Sequence, residues 1–168
     1  MERGIELTRR ANEAQAVNPQ FSSAAFVLAS TGRNDEAAEL VDAVLADVRS
    51  RRGSGIAEHA FLPLAMAAGE LGRRDDFLEA TSEISEVSPW LAASRAYAAG
   101  DLERALELSE RLSVPDSAWI RLHAAALLVE RGNQRDAHGQ ATRALAFWRS
   151  VGATHYIREG ESFLAATA

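Results

Sequence analysis

Apolar residues recur every three to four positions along most of the chain, with polar residues between them, as in amphipathic helices. Alanine is abundant, while Val, Ile and Thr never gather into the alternating runs that are typical of strands. Prolines and glycines interrupt the pattern at helix-length intervals. The sequence therefore predicts an all-α fold of about ten helices, at roughly 4–17, 20–31, 34–50, 56–71, 74–87, 90–98, 101–113, 116–131, 133–150 and 154–166.

Four of the glycines begin the same kind of short polar turn: Gly32, Gly72, Gly100 and Gly132. They are separated by 40, 28 and 32 residues, close to the period of about 34 residues in helix-turn-helix repeats. An apolar helix ends at each glycine, and residues that favour a helix N-terminus follow it. We therefore expect one domain, 1–168, of four hairpins with a helix on either side. The hairpins are roughly 20–50, 56–87, 90–113 and 116–150, and the flanking helices are 4–17 and 154–166.

The glycine turns, the small residue five positions later, as at Ala37, and the pairs Asn18-Pro19 and Ser88-Pro89 resemble the tetratricopeptide repeat (TPR) family. The closing segment 144–159 resembles the C-terminal repeat region of large bacterial regulators that carry an ATPase module, either cyclase-linked or LuxR-type. The resemblance implies a TPR-like right-handed α-solenoid. It also implies the non-catalytic part of a bacterial signalling or transcriptional regulator.

In such a solenoid the first helix of each hairpin lines the concave face, which is the default binding surface. Its apolar and aromatic character suits a peptide or a partner domain, with a small molecule sensed by a regulatory domain as the alternative. A tryptophan at helical spacing can equally belong to the core, and Phe147 and Trp148 are assigned to packing against the last helix. The residues expected to bind a partner are Phe26, His59, Leu62, Met66, Glu70, Trp90, Ser94, Tyr97, Trp119, Leu122 and Glu130.

Composition excludes several kinds of chemistry. The chain has no cysteine and no lysine, so thiolate metal sites, disulfides, Schiff bases and Walker-A loops are absent. The four histidines are far apart and lack metal-ligand spacing, and no nucleophile motif is present. We therefore expect no metal, no cofactor and no enzymatic activity.

Charge and hydropathy restrict the partners in a similar way. The formal net charge is -6, and neither half of the chain has the basic excess that nucleic-acid binding requires. No run approaches the ~20 apolar residues of a membrane helix, and the charged N-terminus is unlike a signal peptide, so we expect a cytoplasmic protein without membrane contact. The predicted helix 4–17 lacks a partner helix, which suggests a possible homodimer through this end.

Overall fold

The structure is a computed structural model, and it describes residues 14–51, 55–85 and 87–167. This part of the chain contains nine α-helices, a single 3₁₀ turn at Glu58–Ala60 and no strand, which confirms the all-α prediction. The helices are α1 (Ala14–Ser30), α2 (Asn34–Arg51), α3 (Phe61–Glu70), α4 (Arg74–Thr81), α5 (Pro89–Ala98), α6 (Leu102–Ser109), α7 (Val114–Glu130), α8 (Gln134–Ser150) and α9 (Thr154–Ala166).

Residue contacts divide the chain into two compact units. Unit 1 is Met1–Asp101 and contains α1 to α5, and unit 2 is Leu102–Ala168 and contains α6 to α9. The division falls inside the predicted hairpin 90–113, between α5 and α6. The single domain 1–168 remains a prediction.

Five helices end in the same hydrogen-bonded turn, centred on a glycine with positive φ. At the first of these turns, the amide of Gly32 donates to the carbonyl of Ala29 and the amide of Arg33 donates to that of Leu28. This pair of bonds is the Schellman motif, which needs a left-handed residue that glycine adopts without a Cβ clash. The same motif recurs at Gly72, Gly100, Gly132 and Gly152, with φ between 66° and 80°. The four repeated turns predicted from sequence, at Gly32, Gly72, Gly100 and Gly132, are therefore present with the same hydrogen-bond pattern.

Unit 1 consists of two rows of helices. Helices α1, α3 and α5 pack side by side and form a front row, and α2 packs against α4 to form a back row. The 3₁₀ turn contacts α1, α3 and α5, which places it along the front row. Helix α3 is the centre of the unit, because seven of its ten residues are buried and it contacts α1, α2, α4 and α5. An apolar helix of this kind is typical of a core position.

Unit 2 is built around α7 and α8, which pack along each other as an antiparallel hairpin. Three alanines on α8 are fully buried: Ala137, Ala141 and Ala144. Helix α6 packs against α7, and α9 packs against α8. The α8–α9 contact is close at Gly160, where an added Cβ would lie 3.3 Å from Cδ1 of Leu145.

The largest departure from the predicted boundaries is at Pro19. We predicted a break between helices 4–17 and 20–31, but α1 runs continuously over Ala14–Ser30 with Pro19 inside it. Proline has a helical φ, but it lacks an amide donor and crowds the carbonyl four residues before it, at a cost of about 3 kcal/mol that packing must offset. Asn18 is buried and donates to Oδ2 of Asp47 at 2.8 Å, which holds this part of α1 against α2. Residues 4–13 of the predicted first helix lie outside the described residues.

Two further helix boundaries have identifiable causes. The predicted kink or late start near Pro63 is confirmed, because α3 begins at Phe61 after the 3₁₀ turn and Pro63 lies in its first turn. Helix α4 ends at Thr81, although we predicted helix up to 87. The guanidinium of Arg95 on α5 donates to the carbonyl oxygens of Thr81 and Ile84, and it thereby satisfies carbonyls at the end of α4.

Candidate functional site

The structure separates the eleven residues expected to bind a partner into two groups. Six are buried, four of them without any exposed surface: Leu62, Met66, Ser94, Tyr97, Trp119 and Leu122. The other five are exposed or half-exposed: Phe26, His59, Glu70, Trp90 and Glu130. A partner reaches only the second group without a rearrangement of the helices, so the candidate binding surface is smaller than the sequence indicates.

The buried residues of unit 1 take part in packing within the front row. Leu62 and Met66 lie on α3, which has neighbours in both rows. Tyr97 on α5 fits against Gly69, where an added Cβ would lie 3.2 Å from Cε1 and Oη of the tyrosine. Ser94 donates its hydroxyl to the carbonyl of Trp90 at 2.7 Å, so its side chain is satisfied within α5.

His59 and Trp90 are the two predicted residues that unit 1 brings together on its surface. Their ring centroids are 6.5 Å apart, and the interplanar angle of 69° is an edge-to-face arrangement. His59 belongs to the 3₁₀ turn and is exposed, while Trp90 lies in the first turn of α5 and is half-exposed. Helix α5 begins at this point because Ser88 caps it, accepting from the amide of Leu91, and Pro89 occupies the first helical position.

In unit 2 the predicted residue Trp119 is part of an aromatic cluster instead of a surface. Tyr156 on α9 is its centre, with ring centroids 5.3 Å from Trp119 and 4.5 Å from Trp148. His123 and His155 complete two sides, at 5.2 Å from Trp119 and 5.1 Å from Tyr156. These separations are those of rings in direct contact, so no further ring fits between them. The cluster holds α7, α8 and α9 together.

The role of Tyr156 was not identified in the sequence. Trp148 packs against Tyr156 of the last helix as expected, and Phe147 lies 4.8 Å from the Trp148 ring. The tyrosine approaches α7 because α8 and α9 are joined by the short turn at Gly152. The sequence feature that could have indicated this role is a tyrosine two residues into a helix that follows such a turn.

Ion pairs cross-link the back row of unit 1. Arg73 donates to Oδ1 of Asp42 at 2.6 Å and to Oδ2 of Asp76 at 2.7 Å, and these bonds raise the pKa of its guanidinium. Arg49 on α2 pairs with Glu79 on α4 at 3.5 Å. Since these pairs are largely exposed, each contributes about 0–1 kcal/mol to stability. They matter for function because each paired arginine is already bound to a carboxylate of the same unit.

All six described arginines of unit 1 make an ion pair, a ring contact or a hydrogen bond within the unit. Besides Arg49 and Arg73, the group comprises Arg33 with Glu36, Arg51 with Asp47, Arg74 against the ring of Tyr97, and Arg95 on backbone carbonyls. Four carboxylates in the same part of the chain have no such partner: Asp35, Glu39, Glu58 and Asp75. Unit 1 also carries the entire net charge of -6, because residues 102–168 contain eight arginines and eight carboxylates.

Burial shifts the pKa of two groups, one in each unit. It raises the pKa of the Tyr97 phenol above its ordinary value of 10.0, against the opposing charge of Arg74. It also lowers the pKa of Arg121 in unit 2, to which Arg143 adds by like charge. Arg121 donates to Oε1 of Gln140 at 2.5 Å and pairs with Glu110, so it links α7, α8 and the end of α6.

Neither a metal centre nor a membrane span is found in the part of the chain that the structure describes. Over residues 14–51, 55–85 and 87–167, no group of three His, Cys, Asp or Glu side chains could hold a metal ion. Within the same ranges, no helix has the length and hydropathy needed to cross a membrane. The candidate site is the surface around His59 and Trp90, where an exposed ring and a half-exposed ring lie together.

Comparison with known proteins adds no family. No protein-family model matches the chain, and no curated protein is detectably similar to it in sequence. The TPR resemblance remains a prediction, and the candidate surface is interpreted from its own residues.

Proposed function

We propose that this chain is a protein-interaction module whose helical hairpins stack as a TPR-like right-handed solenoid and bind a peptide or partner domain. The row packing of α1, α3 and α5 is the observation that carries the proposal. In repeat proteins, the first helices of the hairpins pack side by side and the second helices lie behind them. This arrangement, which the two rows of unit 1 share, creates an extended binding surface. Each of the four predicted hairpins contains the same glycine turn, at Gly32, Gly72, Gly100 and Gly132.

The accessible residues on the front row also suit protein binding. Phe26 and Trp90 are half-exposed rings on α1 and α5, and His59 is exposed beside Trp90. Aromatic side chains that keep part of their surface accessible on a rigid helix are typical anchors of protein interfaces. As proposed here, the module acts in the cytoplasm as the non-catalytic part of a bacterial regulator, and it performs no chemistry itself.

Site-specific photo-crosslinking tests this function. A photoreactive phenylalanine analogue replaces either Ser23 on α1 or His59 in the front row, and Ala46 on α2 serves as the control in the back row. All three positions are exposed, so incorporation leaves the core unchanged. We expect a discrete protein adduct in cells at Ser23 or His59 and none at Ala46. No adduct at either front-row position, or equal adducts at all three, would contradict the proposal.

A thermal-shift screen distinguishes a protein-binding module from the alternative, a regulatory domain that senses a small molecule. A ligand that binds only the folded protein raises the unfolding temperature, by an amount set by its concentration relative to the Kd. We expect no metabolite to stabilise the chain by itself. A reproducible shift with a small compound, without a front-row adduct, would favour a ligand-sensing domain over a protein-binding one.

A further inference from the structure

We propose that the surface of unit 1 around His59 and Trp90 binds a basic peptide segment, with an arginine or lysine side chain of the partner against the Trp90 indole. This inference rests on the proposed function and specifies the chemistry of the partner. The occupant is a segment of another protein that combines apolar residues with positive charges.

The first argument is the aromatic pair itself. Trp90 is half-exposed, and the ring it contacts is His59, at a centroid distance of 6.5 Å and nearly edge-on. An indole face that is accessible to a partner attracts guanidinium and ammonium groups more strongly than any other side-chain ring does. The rigid first turn of α5, capped by Ser88, fixes the backbone that carries this indole.

The second argument is the negative charge of unit 1, and in particular that of Glu58 next to His59. Every described arginine of unit 1 already has a hydrogen bond, an ion pair or a ring contact within the unit. Glu58, which immediately precedes His59 in the 3₁₀ turn, is exposed and has no such partner. The unit therefore offers a partner uncompensated negative charge beside an accessible aromatic ring.

The same charges argue against other occupants. An acidic peptide or a nucleic acid would find no unengaged guanidinium among the described residues of unit 1. A second copy of the chain would bring a unit of like net charge against the same surface, and this repulsion opposes association. A cationic segment is the partner class that satisfies both the ring and the carboxylate.

Two synthetic probe peptides test the inference with the full chain. Both have 16 residues and the same leucine positions, and their polar faces carry either arginine or glutamate. The protein has three tryptophans, so three indole N–H signals report binding by nuclear magnetic resonance, with buried Trp148 as the internal reference. We expect the arginine peptide to shift the Trp90 signal, to bind at least tenfold more tightly than the glutamate peptide, and to weaken as salt is raised.

Four variants localise the binding. Trp90→Ala and His59→Ala are each expected to weaken the arginine peptide about tenfold, and His59→Ala, at an exposed position, serves if Trp90→Ala loses helix content. Glu58→Gln is expected to weaken it about threefold. Glu39→Gln removes the same charge from an exposed, unpartnered carboxylate on α2, and we expect it to leave binding unchanged.

Three results would overturn the inference: equal binding of the two peptides, binding that survives both ring substitutions, or equal effects of Glu58→Gln and Glu39→Gln. Either of the last two results would mean that the negative charge of the protein attracts the peptide and that no specific site around His59 and Trp90 binds it. A fourth result, a Trp90 shift that depends on protein concentration alone, would also overturn the inference, because it would assign the surface to a second copy of the chain. If any of these occurs while His59 still gives a photo-adduct, the interaction function stands and only the basic-peptide assignment fails.

Discussion

Alanine at Gly69 tests the packing between α3 and α5 directly. An ideal Cβ at this position lies 3.2 Å from both Cε1 and Oη of Tyr97, and 3.5 Å from Nε of Arg74. The Tyr97 ring is fully buried, so it has little room to move away. Replacing a helical glycine with alanine contributes up to about 1 kcal/mol through helix propensity, while overpacking a core costs about 1–3 kcal/mol. We therefore expect Gly69→Ala to lower the free energy of unfolding by about 1 kcal/mol.

Gly139 on α8 is the matched control. It is also a helical glycine, but an added Cβ there has no neighbour within 4 Å. Only the propensity gain remains, so Gly139→Ala should raise the free energy of unfolding by about 1 kcal/mol. Urea denaturation followed by circular dichroism at 222 nm measures the free energy of unfolding of both variants. In thermal denaturation the expected change in Tm is about 3 °C per kcal/mol for a chain of this size.

A double substitution isolates the contact. In a Tyr97→Leu background the two ring atoms nearest to Gly69 are absent, so Gly69→Ala should no longer destabilise. The coupling energy between the two positions is then about 1 kcal/mol or more. If Gly69→Ala is as stabilising as Gly139→Ala, or destabilises equally in both backgrounds, the close approach of α3 and α5 at this point is wrong.

Three further predictions concern turns, ionisation and helix termination. Gly132→Ala should cost about 1–2 kcal/mol in urea denaturation, because φ is +77° there and an L residue is strained in that conformation; an unchanged midpoint would contradict the turn. Burial raises the pKa of Tyr97, so the folded state favours the neutral phenol. The stability that this preference contributes is complete below the ordinary pKa of 10.0 and is lost as the pH rises above that value. Urea denaturation between pH 8 and 11 should therefore show a decline in the free energy of unfolding, and Tyr97→Phe should remove that decline. Arg95→Met should cost about 1–2 kcal/mol and accelerate amide exchange at Ile84, because the carbonyls of Thr81 and Ile84 lose a charged donor; unchanged exchange would show that α4 ends for another reason.

The ends of the helices follow closely from the sequence, because they depend on a few neighbouring residues. A glycine in the left-handed region closes a helix through two bonds to its own last turn, whatever lies beyond it. The boundaries at Gly32, Gly72, Gly100, Gly132 and Gly152 were therefore predictable. The break assigned to Pro19 was wrong because packing against other helices compensates for the hydrogen bond that the proline removes and for the steric clash that its ring introduces.

The candidate site was predictable only in part. His59 and Trp90 were both among the expected contact residues, and the structure places them together on the surface. Leu62, Met66 and Tyr97 share the same helix faces by periodicity, yet they are fully buried. Periodicity identifies which residues share a face, and it does not state how many neighbours cover that face.

The sequence by itself determined the helical class, the repeated turns and the excess of carboxylates over arginines, since these depend on local geometry and composition. The tertiary structure decided which side chains remain accessible and which charges are neutralised. Whether α3 is covered on both sides, or whether Arg73 meets Asp42, depends on residues about 30 positions apart in the chain. The burial of an aromatic ring and the engagement of an arginine are properties of such distant contacts, and local patterns do not encode them.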